Sequence, residues 1–198
     1  MGTGPDTALN TTPEATPVMT LNTALGRDPE ESTWEDLCRL SRREAMRLFY
    51  AAPAPRLEEL RGFYEGRMPR GGLLNAAAAR LVDLLLPTGR PTPGTAWLGV
   101  DLEPGGMNEG RGRIVYRDPR SGKAARGLEA LTFTGPSNIC SAPSASLYLD
   151  YGALNRGVFR FLHDEVRRVN GGLFICAGCL SLGETLRLPL PFTLHMGS

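Results

Sequence analysis

The chain has 198 residues, of which 41% are hydrophobic and 22% charged, so it can form one folded domain and is too apolar to be disordered throughout. Its formal net charge of +1 excludes the basic composition typical of nucleic-acid-binding proteins and implies no acidic partner. Lys123 is the only lysine among 22 basic residues, so an amine-based mechanism has a single residue to use.

The composition also bears on where the protein works. Four cysteines in a chain of this length are too few for a disulfide framework. The chain does not open with a basic segment followed by an apolar run, and it contains no apolar stretch long enough to span a bilayer. We therefore expect a cytoplasmic protein without a membrane span, a cofactor or a nucleic-acid partner. The oligomeric state is left open.

The N-terminal region divides into a tail and a helix. Residues 1–31 are rich in threonine and proline and are predicted to be a disordered tail. The residues STWE from Ser32 fit a helix capping box, so order should begin there. Apolar residues recur with helical spacing from Trp34 to Phe49, which predicts one helix. Residues 32–195 are predicted to form a single domain.

The rest of the chain is dominated by strand patterns. A short aromatic strand is predicted over Leu60–Arg67, and a second helix over residues 73–86. From Thr95 the hydrophobic period changes from 3.6 to 2. Seven further strands are predicted at residues 95–102, 112–117, 127–134, 146–151, 159–169, 173–182 and 186–194. The last strand should be only partly paired, because Pro189 and Pro191 lack amide donors.

Eight strands joined by short turns favour antiparallel neighbours. Such strands close into a barrel that side chains fill or that holds one small ligand. The predicted fold class is mainly β (α+β), an eight-stranded antiparallel barrel with two N-terminal helices. The alternative is a strongly curved, cone-like open sheet with helices in its concavity.

Several short segments resemble an uncharacterised bacterial family of lipocalin-like (calycin-type) barrels. They are LRGFYEG at residues 60–66, Trp97-Leu-Gly99 followed by Asn108, LYLDY at 147–151, RFLHDEVRRV at 160–169 and GGLFI at 171–175. The chain departs from that family at His163, where arginine is expected, and at Cys176 and Cys179. The resemblance implies a barrel with a ligand site inside or at its mouth, and it implies nothing about the substrate.

The densest polar cluster is the predicted strand around His163. In a strand, His163, Glu165 and Arg167 share one face, and Asp164 lies on the other. A histidine with Glu165 or Asp164 could act as a general acid–base pair near neutral pH. Arg167 or Tyr151 could then orient a substrate oxygen. The alternative is a structural salt-bridge network or a solvated outer face.

The ligand-binding candidates are of two kinds. Trp97, Tyr64 and Phe161 are aromatic residues that strand alternation could turn inward to line an apolar pocket, and Tyr151 and Arg167 could bind an oxygen of the ligand. The same aromatic side chains could equally fill a small barrel.

The cysteine pair Cys176-Ala-Gly-Cys179 matches a C-x-x-C motif. In a strand, residues three apart face opposite sides, which argues against a local disulfide. No second closely spaced pair accompanies it, so no metal site is expected.

Three functions remain open at this point. The favoured one is binding of a small hydrophobic or aromatic ligand in the barrel. The alternatives are a barrel enzyme, a cyclase or isomerase, and a scaffold or assembly factor that docks through the helix around Trp34. The final residues HMGS resemble a cloning remnant, so His195 is assigned no role.

Overall fold

Eight antiparallel strands close into a barrel in the computed structural model, which describes residues 20–69, 97–106, 108–118, 120–139, 144–182 and 186–197. The strands are β1 Gly62–Arg67, β2 Trp97–Pro104, β3 Glu109–Arg117, β4 Ala124–Pro136, β5 Ala145–Asp150, β6 Leu162–Arg168, β7 Leu173–Leu182 and β8 Leu186–Met196. Each strand pairs with the next along the chain, and β8 pairs with β1. The predicted eight-stranded barrel is confirmed, and the open sheet is not.

Three α-helices precede the barrel in the described part of the chain. They are α1 Leu21–Leu25, α2 Trp34–Arg39 and α3 Arg42–Ala51, and single 3-10 turns occur at Pro29–Glu31, Leu57–Glu59 and Gly157–Phe161. The prediction of one helix from Trp34 to Phe49 is wrong, because the backbone leaves the helical region at Leu40 and Ser41 then caps a new helix. The first capping box uses Thr33 and Asp36.

Two other predictions concern the N-terminal half of the chain. Helix α1 lies within the segment predicted as a tail, and its first turn is capped by the Thr20 side chain. The helix predicted over residues 73–86 lies outside the described residues. No helix among the described residues is long and apolar enough to cross a membrane.

Residues that precede β1 close one of the two ends of the barrel. We call upper the end where β1 finishes and β2 begins, and the β3–β4, β5–β6 and β7–β8 connections lie there too. At the lower end, Leu57 and Leu60, which flank the Leu57–Glu59 turn, belong to the core inside the barrel. Residues just before β1 therefore plug the lower end.

Side chains fill the middle of the barrel. Tyr64 and Phe174 meet edge to face with ring centroids 5.5 Å apart, and Trp97 and Phe192 do so at 5.3 Å. Gly66 allows this packing, because a Cβ there would collide with the Trp97 indole. The residues of this interior core are Leu57, Leu60, Tyr64, Val100, Leu102, Ile114, Ala130, Leu147, Leu149, Tyr151, Val166, Phe174, Cys176, Phe192 and Leu194.

A second core lies outside the barrel, where helices α2 and α3 cover β7 and β8. It comprises Trp34, Leu37, Cys38, Ala45, Met46, Leu48, Phe49, Ala52, Val169, Leu173, Ile175 and Ala177. Strand β7 therefore buries both faces, with Cys176 inside the barrel and Ala177 under the helices. This explains why its sequence is a nearly continuous apolar run.

Trp34 fixes helix α2 to the end of β8. Its Nε1 donates a hydrogen bond to Thr193 Oγ1 at 2.8 Å, and the Arg67 guanidinium lies 3.9 Å from the ring centroid. The His195 ring stacks on Trp34 at 5.2 Å, and His195 pairs with both neighbouring strands within β8, so His195 has a structural role that the sequence analysis did not assign to it. Only 8% of Trp34 is exposed, and the barrel, not a docking partner, occupies its apolar face.

We expect Thr193→Val to lower the free energy of unfolding by about 1–3 kcal/mol, because the buried Trp34 indole N–H loses its acceptor. Thr193→Ser keeps the hydroxyl and is the matched control, with a smaller loss. Urea unfolding followed by far-UV circular dichroism measures both variants. Equal losses in the two variants would assign the effect to packing and contradict the hydrogen-bond argument.

Pro189 and Pro191 lie in the part of β8 where a missing amide donor is tolerated. Strand β8 pairs with β7 from Leu186 to His195, but with β1 only from Thr193 onward. Among the described residues, no strand pairs with the second edge of β8 at the two prolines. The Pro189 carbonyl is instead bonded by Arg42 Nη2 at 2.8 Å.

Candidate functional site

Strand β6 divides the predicted polar cluster between the two sides of the barrel wall. Asp164 bonds to Tyr151, a member of the interior core, whereas Glu165 and Arg167 bond to segments outside the barrel. His163 shares the outer face, as the alternation predicted. A pairing of His163 with Asp164 is therefore ruled out by the wall between them.

Asp164 and Tyr151 form a hydrogen-bonded pair inside the barrel. Tyr151 Oη donates to Asp164 Oδ2 at 2.9 Å, and the two residues are 1% and 8% exposed, respectively. Burial raises the pKa of Asp164 from 3.8 to about 7, against the opposing effect of the Tyr151 hydrogen bond. The pKa values of Tyr151 and of the Cys176 thiol are also raised. Burial is the largest cause for both groups, and the charge of Asp164 is the second. Near neutral pH, this carboxyl can therefore both donate and accept a hydrogen bond.

The upper end of the barrel has an apolar rim, which we call the upper mouth. Among the described residues, five apolar side chains are partly buried and pack on the interior core: Met68, Trp97, Tyr116, Leu128 and Leu162. Four of them lie at or next to strand ends that meet at the upper end, and Leu128 lies four residues into β4 from that end. Leu162 is two residues from Asp164 on the same face of β6, which places the carboxyl just inside the mouth.

On the outer face, Glu165, Ser146 and Arg167 form what we call the buried charge network. The Ser146 hydroxyl donates to Glu165 Oε2 at 2.7 Å and accepts from Arg167 Nε at 2.8 Å. All three residues are at most 1% exposed. One serine therefore links two buried, opposite charges.

The remaining contacts of the network hold neighbouring segments in place. Arg167 Nη1 donates to the Ala52 carbonyl at 2.9 Å, at the end of α3. Glu165 accepts from the Ser137 hydroxyl at 2.6 Å and from the Asn138 amide at 2.8 Å, in the segment that follows β4. These two side chains thus have a structural role, which matches the alternative interpretation of the polar cluster.

His163 lines a cavity of about 350 Å³ in the outer wall, which we call the wall pocket. Its lining residues are Phe133, Gly135, Pro136, Asn138, Tyr148, Asp150 and His163. The Phe133 and Tyr148 rings stack at 5.1 Å with an interplanar angle of 8°. The His163 ring lies 6.0 Å from Tyr148 at an angle of 37°.

The predicted ligand-binding residues do not converge on one place. Trp97 and Tyr151 lie at the upper mouth, Tyr64 lies deeper in the filled barrel, and Arg167 belongs to the buried charge network. Phe161 was predicted in a strand but ends the 3-10 turn before β6 and is 41% exposed.

The sequence analysis assigned no role to Ser146 of the buried charge network or to Asp150 of the wall pocket. Nothing in the sequence marks Ser146 as the link between two charges. Asp150 Oδ1 accepts from the Gly152 amide at 2.7 Å. Arg168 pairs with Glu59 at 2.8 Å.

Comparison with known proteins identifies the fold and not the family. No family model and no curated protein matches the chain. The structure is similar to the crystal structure of a protein from Thermomonospora curvata, with a TM-score of 0.50 and 18% sequence identity over 81% of this chain and 90% of that chain. At this identity the likeness concerns the barrel architecture alone, so membership of a lipocalin-like family stays a prediction.

Proposed function

We propose that this protein binds a small, mainly apolar or aromatic ligand at the upper mouth of a lipocalin-like barrel. The observation that carries the proposal is the buried Asp164–Tyr151 pair, which lies just inside a rim of partly exposed apolar side chains. Trp97 and Leu162 would contact the apolar body of the ligand, and Asp164 and Tyr151 its polar group.

The buried carboxyl group of Asp164 supports a ligand site at the upper mouth, because burying such a group is unfavourable and needs a compensating partner. A polar group in an apolar interior is unfavourable unless it is hydrogen-bonded, and Asp164 accepts a bond from Tyr151. A carboxyl group with a pKa near 7 keeps its proton in part of the population and can donate it to an oxygen. The ligand class is therefore an apolar molecule with a hydroxyl or carbonyl group. Cys176 is a free thiol inside the barrel, which suits the proposed cytoplasmic location.

We expect 2-naphthol to quench Trp97 fluorescence saturably in a Trp34→Phe background, in which Trp97 is the only tryptophan. Asp164→Leu should weaken 2-naphthol binding about tenfold, equivalent to about 1.4 kcal/mol, because the partner of the ligand hydroxyl is removed. Naphthalene, which has the ring system without the hydroxyl, is the matched probe and should lose no affinity.

The proposal fails if 2-naphthol leaves the Trp97 signal unchanged, or if Asp164→Leu weakens both probes equally. Thermal unfolding of each variant before titration separates a lost site from a lost fold. Native mass spectrometry of gently purified protein identifies the natural ligand directly if one is retained.

An enzyme at the same site is the second candidate, favoured by the pKa of Asp164 near neutrality. In this function Asp164 exchanges a proton with the substrate and Tyr151 positions it, as in a cyclase or isomerase reaction. Metabolite turnover should be lost in Asp164→Asn. It should persist in His163→Ala, because His163 lies on the other side of the wall.

A further inference from the structure

The wall pocket is formed by three neighbouring strands whose register brings its side chains together. Phe133 of β4 is opposite Tyr148 of β5, and Asp150 of β5 is opposite His163 of β6. Directly opposite residues on one face of a sheet have their Cβ atoms about 5 Å apart. An aromatic pair and a carboxylate–histidine pair therefore occupy adjacent rungs of the same outer surface.

The pocket is fixed in shape before any ligand binds. Tyr148 Oη donates a hydrogen bond to the Pro136 carbonyl. Glu165, which is 0% exposed, holds the adjoining Ser137 and Asn138 through two hydrogen bonds. The segment that closes one side of the pocket is thus tied down at consecutive residues. Preorganisation of this kind removes part of the entropy cost of binding.

The charges around the pocket favour a cation. Asp150 is the one carboxylate in the lining, and neither arginine nor lysine occurs among the lining residues described. Its Oδ1 accepts one backbone hydrogen bond, and a carboxylate has room for about four. Burial, and after it the charge of Glu165, raises the pKa of Tyr148, so its phenol keeps its proton and the ring stays neutral. The faces of Phe133 and Tyr148 also attract cations.

We propose that the wall pocket binds a one- or two-ring aromatic amine, with its ring against Phe133 and Tyr148 and its ammonium group at Asp150. A cavity of about 350 Å³ lies at the small end of the range for ligand sites, which limits the molecule to that size. This site is independent of the proposed function, because it lies outside the barrel and Asp164 lies inside it.

Tryptamine, indole-3-acetate and n-butylamine test this proposal as a set. Tryptamine supplies ring and ammonium, indole-3-acetate the ring with the opposite charge, and butylamine the charge without a ring. Amide ¹H–¹⁵N chemical shifts of the full chain report the site of binding, and calorimetry reports Kd. Tryptamine should bind at least tenfold more tightly than either of the others, with shifts centred on Phe133, Tyr148 and His163.

Asp150→Asn removes the charge but keeps an oxygen for the Gly152 amide, and it should weaken tryptamine binding about tenfold. Asp101→Asn is the matched control, since Asp101 pairs with Arg126 on another part of the outer wall, and it should leave Kd unchanged. Equal affinity for tryptamine and indole-3-acetate would overturn the proposal, as would an unchanged Kd in Asp150→Asn. Shifts centred on Trp97 and Leu162 would assign tryptamine to the upper mouth and would also overturn it.

Discussion

Arg167→Met should lower the free energy of unfolding by about 3–5 kcal/mol, because removing one partner of a buried pair leaves the other charge uncompensated. Arg167 is 1% exposed and makes hydrogen bonds to Ser146, Ser144 and the Ala52 carbonyl. Glu165, at 0% exposure, would be left beside Ser146 without the neighbouring guanidinium. Urea unfolding measures this loss of unfolding free energy, and the m-value should be the same as in the native protein.

The neighbouring residue provides the control for this prediction. Arg168 pairs with Glu59 at 2.8 Å, but both side chains are about 40% exposed. Arg168→Met should therefore cost at most about 1 kcal/mol. Adding Glu165→Gln to Arg167→Met should cost less than the sum of the two single losses, because the two charges depend on each other. Equal losses in the Arg167 and Arg168 variants, or strictly additive losses in the double variant, would contradict the buried charge network.

The stability of the protein should fall between about pH 4 and about pH 7 by an amount that Asp164→Asn abolishes. Burial raises the pKa of Asp164 to about 7 in the folded state, from 3.8 in the unfolded chain. The folded state therefore holds the proton more tightly. Its contribution to stability is complete below about pH 4 and is lost as the pH rises through about 7. Since one pKa unit corresponds to about 1.4 kcal/mol, the loss is on the order of 4 kcal/mol.

Tyr151→Phe tests the cause of this pH dependence. The Tyr151 hydrogen bond lowers the pKa of Asp164, so its removal should move the end of the stability loss to higher pH. The measurement is the difference in unfolding free energy between the native protein and each variant across the pH range, which cancels the other titrating groups. A constant difference between the native protein and Asp164→Asn from about pH 4 to about pH 7 would contradict the prediction.

The architecture could be predicted from the sequence because period-2 alternation and turn residues are local signals. The strands from Trp97 onward lie close to the predicted positions, and His163, Glu165 and Arg167 do share a face. Which face of β6 lies inside the barrel could not be predicted. Helix α3 and the segment after β4 cover the outer face, so both faces of the strand are buried. The usual contrast between an apolar inner face and a polar outer face is then lost.

The candidate sites were less predictable than the fold because they depend on contacts distant in sequence. Ser146 links Glu165 and Arg167 across two strands, and only the register of β5 and β6 reveals it. The carboxylate directly opposite His163 on the outer face is Asp150 of the neighbouring strand, whereas Asp164, its neighbour in sequence, lies inside the barrel. Composition and spacing within one strand contain no information about such pairs.

The attachment of Trp34 to Thr193 has a consequence for how the chain folds during translation. The two residues are 159 positions apart in the sequence. The edge of β1 that does not pair with β2 pairs with the C-terminal part of β8, so it has no partner until that part has been synthesised. At a synthesis rate of about 5–20 residues per second, the ribosome needs roughly 10–30 s to extend the chain from Trp34 to Thr193. During that interval the apolar face of α2 and the open edge of β1 have emerged without their partners. The nascent chain therefore presents a temporary target for chaperones, which disappears once the last strand leaves the exit tunnel.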